Sequence, residues 1–190
     1  MENVSHEELY KILLLIRGWI SNCDAKISVL LTGIGVLAGV FLTSEYMTQF
    51  IKICQFAYNT HISLFITYIC ICTILLVGSI YGCINLALAL RAQVNPNQFK
   101  SKGIYSDSLI FFGTIAKYDH VQKYKERLEK CCREQMEDDI ISQIYICATI
   151  CTQKFSHYKT GLKYSLGGLF GFMAMEIAGM VVMHILGNQS

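Results

Sequence analysis

Residues able to recognise a small molecule gather at three places in this chain. The run Trp19, Ile20, Ser21, Asn22, Cys23, Asp24, Ala25, Lys26 sets Trp19, Asn22 and Lys26 on one helical face, with Arg17 and Asp24 together on another. An aromatic plane, an amide and a cation on one face suit a small anionic ring compound. At Ser108, Leu109, Ile110, Phe111, Phe112, Gly113, either Asp107 or Ser108 is placed to cap a helix whose first N–H groups favour an anion. Farther on, Asp139, Gln143, Ile150 and Lys154 return to nearly one helical face, with Tyr158 close by, giving an acceptor, an amide and a cation along a stripe. Each feature also has a plainer explanation. Trp19 and Lys26 can anchor and snorkel at a membrane surface, the Phe pair can simply pack, and the stripe can be a solvated or helix-pairing face.

The elements that carry these residues follow from composition. Of 190 residues, 53% are hydrophobic and one is proline, and the mean hydropathy is positive, which is foreign to an ordinary soluble domain. Residues 27–43 carry no charge and are just long enough, at about 1.5 Å per residue, to cross a hydrocarbon core of about 30 Å. Residues 62–90 are uncharged and longer than needed, which a tilt accommodates. The third span, 162–186, has its apolar run from Leu166 onward, interrupted by Glu176 near the middle and His184 near one end. A chain of this length cannot wrap three such helices in polar surface. The first stretch opens behind Glu2, Glu7 and Glu8 and has no small-residue cleavage site, so it is expected to stay in the mature protein.

Basic residues set the expected orientation. Residues 43–61 hold one, Lys52, whereas 91–161 hold eleven, so the insert between the second and third spans is expected in the cytoplasm. The N-terminal arm, with Lys11, Arg17 and Lys26, then lies beside it. The expected fold class is an all-α membrane protein with three transmembrane helices and a helical cytoplasmic region formed by the arm and the insert. Its segments are a cytoplasmic helix 1–26, spans 27–43, 62–90 and 162–186, an extracytoplasmic loop 44–61, a cytoplasmic sensor insert 91–161 and an extracytoplasmic tail 187–190.

Local signals refine this outline. Ser5 and Glu8 match a capping box, opening one long helix that runs through to Thr43. Asn95, Pro96 and Asn97 mark a turn, and 100–107 with Gly103 a crossing. A short helix is expected over 108–117, punctuation at Tyr118, Asp119 and His120, and a long amphipathic helix over 121–158 that leads into the third span with Gly161 as a bend. Each span holds a small-xxx-small pair, Gly35 with Gly39, Gly78 with Gly82 and Gly167 with Gly171, favouring close helix association within or between subunits. Glu176 should face protein or water, either as a pore-lining or subunit-locking carboxylate or as a protonated group hydrogen-bonded within the bundle.

Other functions lack parts. The nine cysteines fall mostly in the expected bilayer or a reducing cytosol and have no histidine at a matching spacing, so neither a disulfide framework nor a metal site is expected. There is no phosphate-cradling glycine loop, nucleophile elbow or paired metal-binding histidine motif, and so no expected enzyme activity or cofactor. The insert balances its eleven basic residues with eight acidic ones, which argues against nucleic acid as a partner.

Taken in order, Trp19 and Ile20 with Asp24, Ala25 and Lys26 before a span, then Ser108 to Gly113 with Tyr118 and Tyr124, then Gln143, Ile144 and Tyr145 with Lys154 and Phe155 before a last span, resemble the transmembrane effectors of Pycsar antiphage systems. The resemblance covers nearly the whole chain. It implies a multi-pass protein of the bacterial inner membrane that binds a cyclic pyrimidine mononucleotide, cyclic CMP or cyclic UMP, made by a functionally linked cyclase with no required direct contact. It further implies a homo-oligomer that impairs the membrane and causes growth arrest or abortive infection. On that reading the candidate ligand-binding residues are Trp19, Asn22, Asp24, Lys26, Ser108, Phe112, Gln143, Tyr145 and Lys154. The base stacks on Trp19, Phe112 or Tyr145, Asn22 or Gln143 reads its edge, and Lys26 or Lys154 counters the phosphate. The competing expectation is a constitutive scaffold, a protein-gated toxin or a small channel subunit, in which Glu176 is central.

Overall fold

The computed structural model describes residues 5–91, 104 and 107–187. The expected turn at 95–97 and all of the 100–107 crossing except Ile104 and Asp107 lie outside them. Six helices follow in chain order: α1 (His6–Phe41), α2 (Ser44–Thr60), α3 (Ile62–Leu90), α4 (Phe112–Ile115), α5 (Val121–Glu129) and α6 (Arg133–Gly187). No strand occurs among the described residues. Three of the helices, α1, α3 and α6, are long and apolar enough to cross a membrane.

The capping box forms as its residues dictate. Glu8 N–H donates to Ser5 Oγ at 3.2 Å, and Ser5 N–H donates to Glu8 Oε2 at 2.8 Å, satisfying donors that a helix start leaves unpaired. From there α1 runs without a break to Phe41. Residues 44–60, read from sequence as a loop, are the helix α2. That segment has no glycine or proline, and Phe50, Ile53 and Cys54 recur at helical spacing, so nothing local opposes a helix once an apolar partner is available. The partner is α3, reached through a turn at His61: Tyr58 meets the Phe65 ring at 5.7 Å between centroids, and Ile53 is buried with Tyr68 and Cys72.

Two further expectations change. The helix expected over 108–117 is confined to the four residues of α4, because the backbone groups of Ser108 and Leu109 are drawn into bonds with distant side chains. The long amphipathic helix breaks at Lys130, Cys131 and Cys132, where Cys132 N–H finds the Gln135 side chain at 3.4 Å and α6 begins. Gly161 does not interrupt the helix, since α6 is helical from Arg133 to Gly187.

Packing divides the chain into two compact units, Met1–Cys23 with Ala92–Lys154, and Asp24–Arg91 with Phe155–Ser190. Most of the arm and of the insert thus falls in the first unit, whereas residues 24–26 and 155–161 fall in the second, and α1 and α6 are each shared between the two. Within the second, α3 and α6 approach backbone to backbone. A Cβ at Gly82 would lie 2.2 Å from the Ser165 nitrogen, and one at Gly168 would lie 2.5 Å from the Leu75 carbonyl oxygen. Gly161 meets Leu86, Gly171 meets Leu75, and Ser79 Oγ donates to the Ser165 carbonyl at 3.3 Å. Of the small-residue pairs read from sequence, Gly82 and Gly171 belong to this seam, whereas Gly35, Gly39, Gly78 and Gly167 have no neighbour within 4 Å of where a Cβ would stand.

Substitution at the seam should therefore differ sharply from substitution one turn away. Gly82→Leu drives a side chain into backbone that cannot move aside and is expected to destabilise the protein by at least about 1–3 kcal/mol. Gly78→Leu, with open space around it, should be neutral. Thermal unfolding in detergent compares the two, and equal melting temperatures would rule out the close approach.

Candidate functional site

The first unit gathers its polar chemistry where residues 107–111 lie on α6. This segment cannot satisfy its backbone by helix formation, so side chains do so. Asp139, on the first turns of α6, is 1% exposed, and its Oδ2 accepts the Leu109 N–H at 2.7 Å. One turn on, Gln143 Nε2 donates to Ser108 Oγ at 3.3 Å, in a buried contact. Ser108 Oγ also accepts the N–H groups of Ile110 and Phe111, at 3.3 and 3.0 Å, and thereby turns the chain toward α4. Thr114 Oγ1 donates to the carbonyls of Ser108 and Phe111. From α5, the Tyr124 hydroxyl donates to the Leu109 carbonyl at 2.7 Å, and its ring lies 5.5 Å from that of Tyr118. Arg127 reaches Asp107 at 3.4 Å.

The stripe read from sequence is thus inward-facing at its polar positions. Asp139, Gln143 and Lys154 are buried, and Ile150 and Tyr158 are half-buried. Of the candidate ligand residues, Ser108 and Gln143 are brought into contact. Trp19 and Asn22 are exposed on α1, Phe112 is 69% exposed with its ring 4.6 Å from Phe111, and Tyr145 is exposed on α6. Asp24 is half-buried and Lys26 exposed, and both belong to the second unit. Asp139, visible in the sequence as an acceptor on the stripe but left out of the candidate set, is at the centre of the cluster. Its i, i+4 spacing to Gln143 was the available signal. The bonds from Tyr124 and Thr114 to main-chain oxygens had none.

Farther along the unit, burial pushes the thiols of Cys147 and Cys151 above their ordinary values, with Arg17 and Lys154 respectively acting the other way. They behave as small apolar groups. No group of three or more His, Cys, Asp or Glu able to hold a metal ion occurs among the described residues.

In the second unit, Glu176 is buried and accepts the Tyr68 hydroxyl at 3.1 Å, between α6 and α3. Phe172, one turn before it, touches the rings of Phe41 at 5.9 Å and Phe50 at 6.2 Å.

An all-α protein with three helices of membrane-crossing length and a less apolar unit containing short helices and side-chain-held turns defines a class, that of helical membrane proteins with a second, more polar unit. The particular family follows from comparison. The model of the Pycsar effector protein domain matches residues 8–183. The Pycsar effector protein GmPycTM of Gulbenkiania mobilis is 30% identical over 183 residues, which cover 92% of this chain and 93% of that protein. No solved structure matches. The chain belongs to the Pycsar effector family, whose members serve in antiphage defence.

The tertiary bonds of the 107–111 segment lead to a measurable expectation. Tyr124→Phe removes the hydroxyl that holds the Leu109 carbonyl and should weaken the segment by about 1 kcal/mol. Hydrogen exchange at the Leu109 and Phe111 amides should then accelerate about fivefold; unchanged exchange at both would show that the segment does not depend on this bond.

Proposed function

We propose that the protein binds a cyclic pyrimidine mononucleotide in the unit formed by Met1–Cys23 and Ala92–Lys154, and responds by impairing the membrane crossed by α1, α3 and α6. The observation that carries this reading is membership of the Pycsar effector family over residues 8–183, combined with a buried polar cluster in the less apolar unit. The exposed rings of Trp19, Phe112 and Tyr145 offer stacking surfaces for the base. Asn22 or Gln143 reads its edge, and Lys154 counters the phosphate.

The excess of basic residues in 91–161 supports an inner-membrane protein with its N-terminus and insert in the cytoplasm and residues 44–61 on the outer side. On this placement α1 ends beside Phe172, and since residues 27–43 only just cross the hydrocarbon, that level marks its far boundary. Glu176 lies one turn farther along α6 than Phe172. Its hydrogen bond with Tyr68 favours a role in holding α3 to α6 over lining a pore. The open face of α1 around Gly35 and Gly39 supports contact with another copy, and thus a homo-oligomer. The nucleotide comes from a linked cyclase that need not touch this protein.

A ligand activates the membrane unit only to the extent that it prefers the active arrangement. Cells expressing the protein should therefore stop growing and admit dye when cyclic CMP or cyclic UMP is supplied, and remain intact without it. Alanine at one of Trp19, Phe112 or Tyr145 should weaken binding by about tenfold, as loss of base stacking does, in titration calorimetry. Toxicity that ignores both nucleotides would favour the scaffold or protein-gated toxin instead.

A further inference from the structure

The cluster at the 107–111 segment contains an acceptor that the protein itself does not satisfy. Asp139 is 1% exposed and gives Oδ2 to the Leu109 N–H, while Oδ1 has no hydrogen-bond partner. Among the described residues of the first unit, no other buried side-chain nitrogen or oxygen lacks a partner. A carboxylate oxygen removed from water without a donor is unfavourable, and a donor brought by a ligand removes that penalty.

The neighbouring main-chain donors are committed. The N–H of Leu109 is held by Asp139 itself, those of Ile110 and Phe111 by Ser108 Oγ, and the Gln143 amide nitrogen also donates to Ser108 Oγ. The unmet acceptor at Asp139 Oδ1 thus favours a ligand that brings a donor to it. The two pyrimidines differ in just this respect. Cytosine carries an amine with two N–H donors at ring position 4, whereas uracil carries a carbonyl there, and its single N–H stands between two carbonyls that each need a donor.

We propose that Asp139 Oδ1 reads the exocyclic amine of a cytosine base, making this residue the determinant of preference for cyclic CMP over cyclic UMP. The proposal rests on the nucleotide-binding reading above and adds the base and the residue that selects it. The amine reaches Oδ1 when the 107–111 segment shifts aside, so recognition of the base and movement of this segment are one event. With uracil, the position-4 oxygen faces a carboxylate oxygen, and the contact becomes repulsive.

Titration calorimetry of the detergent-solubilised protein with each nucleotide tests this, with circular dichroism melting to verify folding. The unaltered protein should bind cyclic CMP at least about tenfold more tightly than cyclic UMP, the value of one hydrogen bond to a charged group. Asp139→Asn keeps an oxygen for the Leu109 N–H and adds an N–H, so the preference should collapse or reverse. Ser108→Ala loosens the same segment without changing the reading atom; less is then lost when the segment shifts aside, and both nucleotides should bind alike more tightly with their ratio kept. A preference for cyclic UMP, or a ratio unchanged in folded Asp139→Asn, overturns the assignment of Asp139 while leaving nucleotide sensing intact. Binding of neither nucleotide to the folded, unaltered protein overturns the sensing reading and the assignment with it.

Discussion

In hydrocarbon, a backbone N–H or C=O has no water to bond, and a helix is how a single segment satisfies all of its own. This constraint divides the protein. The second unit is built from helices joined by very short connections, with Leu42 and Thr43 between α1 and α2 and His61 alone between α2 and α3. The first unit has no such restriction. There the chain leaves helix at residues 107–111, 116–120 and 130–132, and Asp139, Ser108, Thr114, Tyr124 and Gln135 supply the missing partners for several of the freed groups. Polar side chains that serve as backbone partners must converge on one place, and such convergence is also what a recognition site requires. The candidate site lies where regular structure fails.

Without water exclusion as a driving force, the apolar helices must be held by shape and a few polar contacts. Gly82 against Ser165 and Gly168 against Leu75 and Ser79 let α3 and α6 approach until main chain meets main chain. The larger groups, Phe41, Phe50, Tyr68 and Phe172, collect nearer the end where α2 joins them.

How far the sequence discloses this arrangement depends on the range of the interaction. The Ser5–Glu8 box is local and was legible, as were the three apolar helices, whose length and lack of charge suffice. The resemblance to Pycsar effectors was carried by short motifs in order, and the family comparison agrees with it. The glycines at the seam were only half legible: spacing marks Gly78 with Gly82 and Gly167 with Gly171, but which member faces a partner is set by helix rotation, which the facing helix decides. The α2 helix was read as a loop because its stability comes from α3 and not from its own composition. The Leu109–Asp139 bond joins residues 30 apart through a main-chain donor, and no side-chain pattern announces it.

The hydrogen bond from Tyr68 to Glu176 gains meaning from the glycine seam on the same two helices. Sliding α6 along α3 by one residue would put side chains where the backbones now touch, and would at the same time pull the carboxylate away from its donor. Both contacts are satisfied in one register and lost together in its neighbours. The pair therefore works as a detent that fixes the register of α6 on α3: a small axial displacement gives up the close approach and the hydrogen bond together.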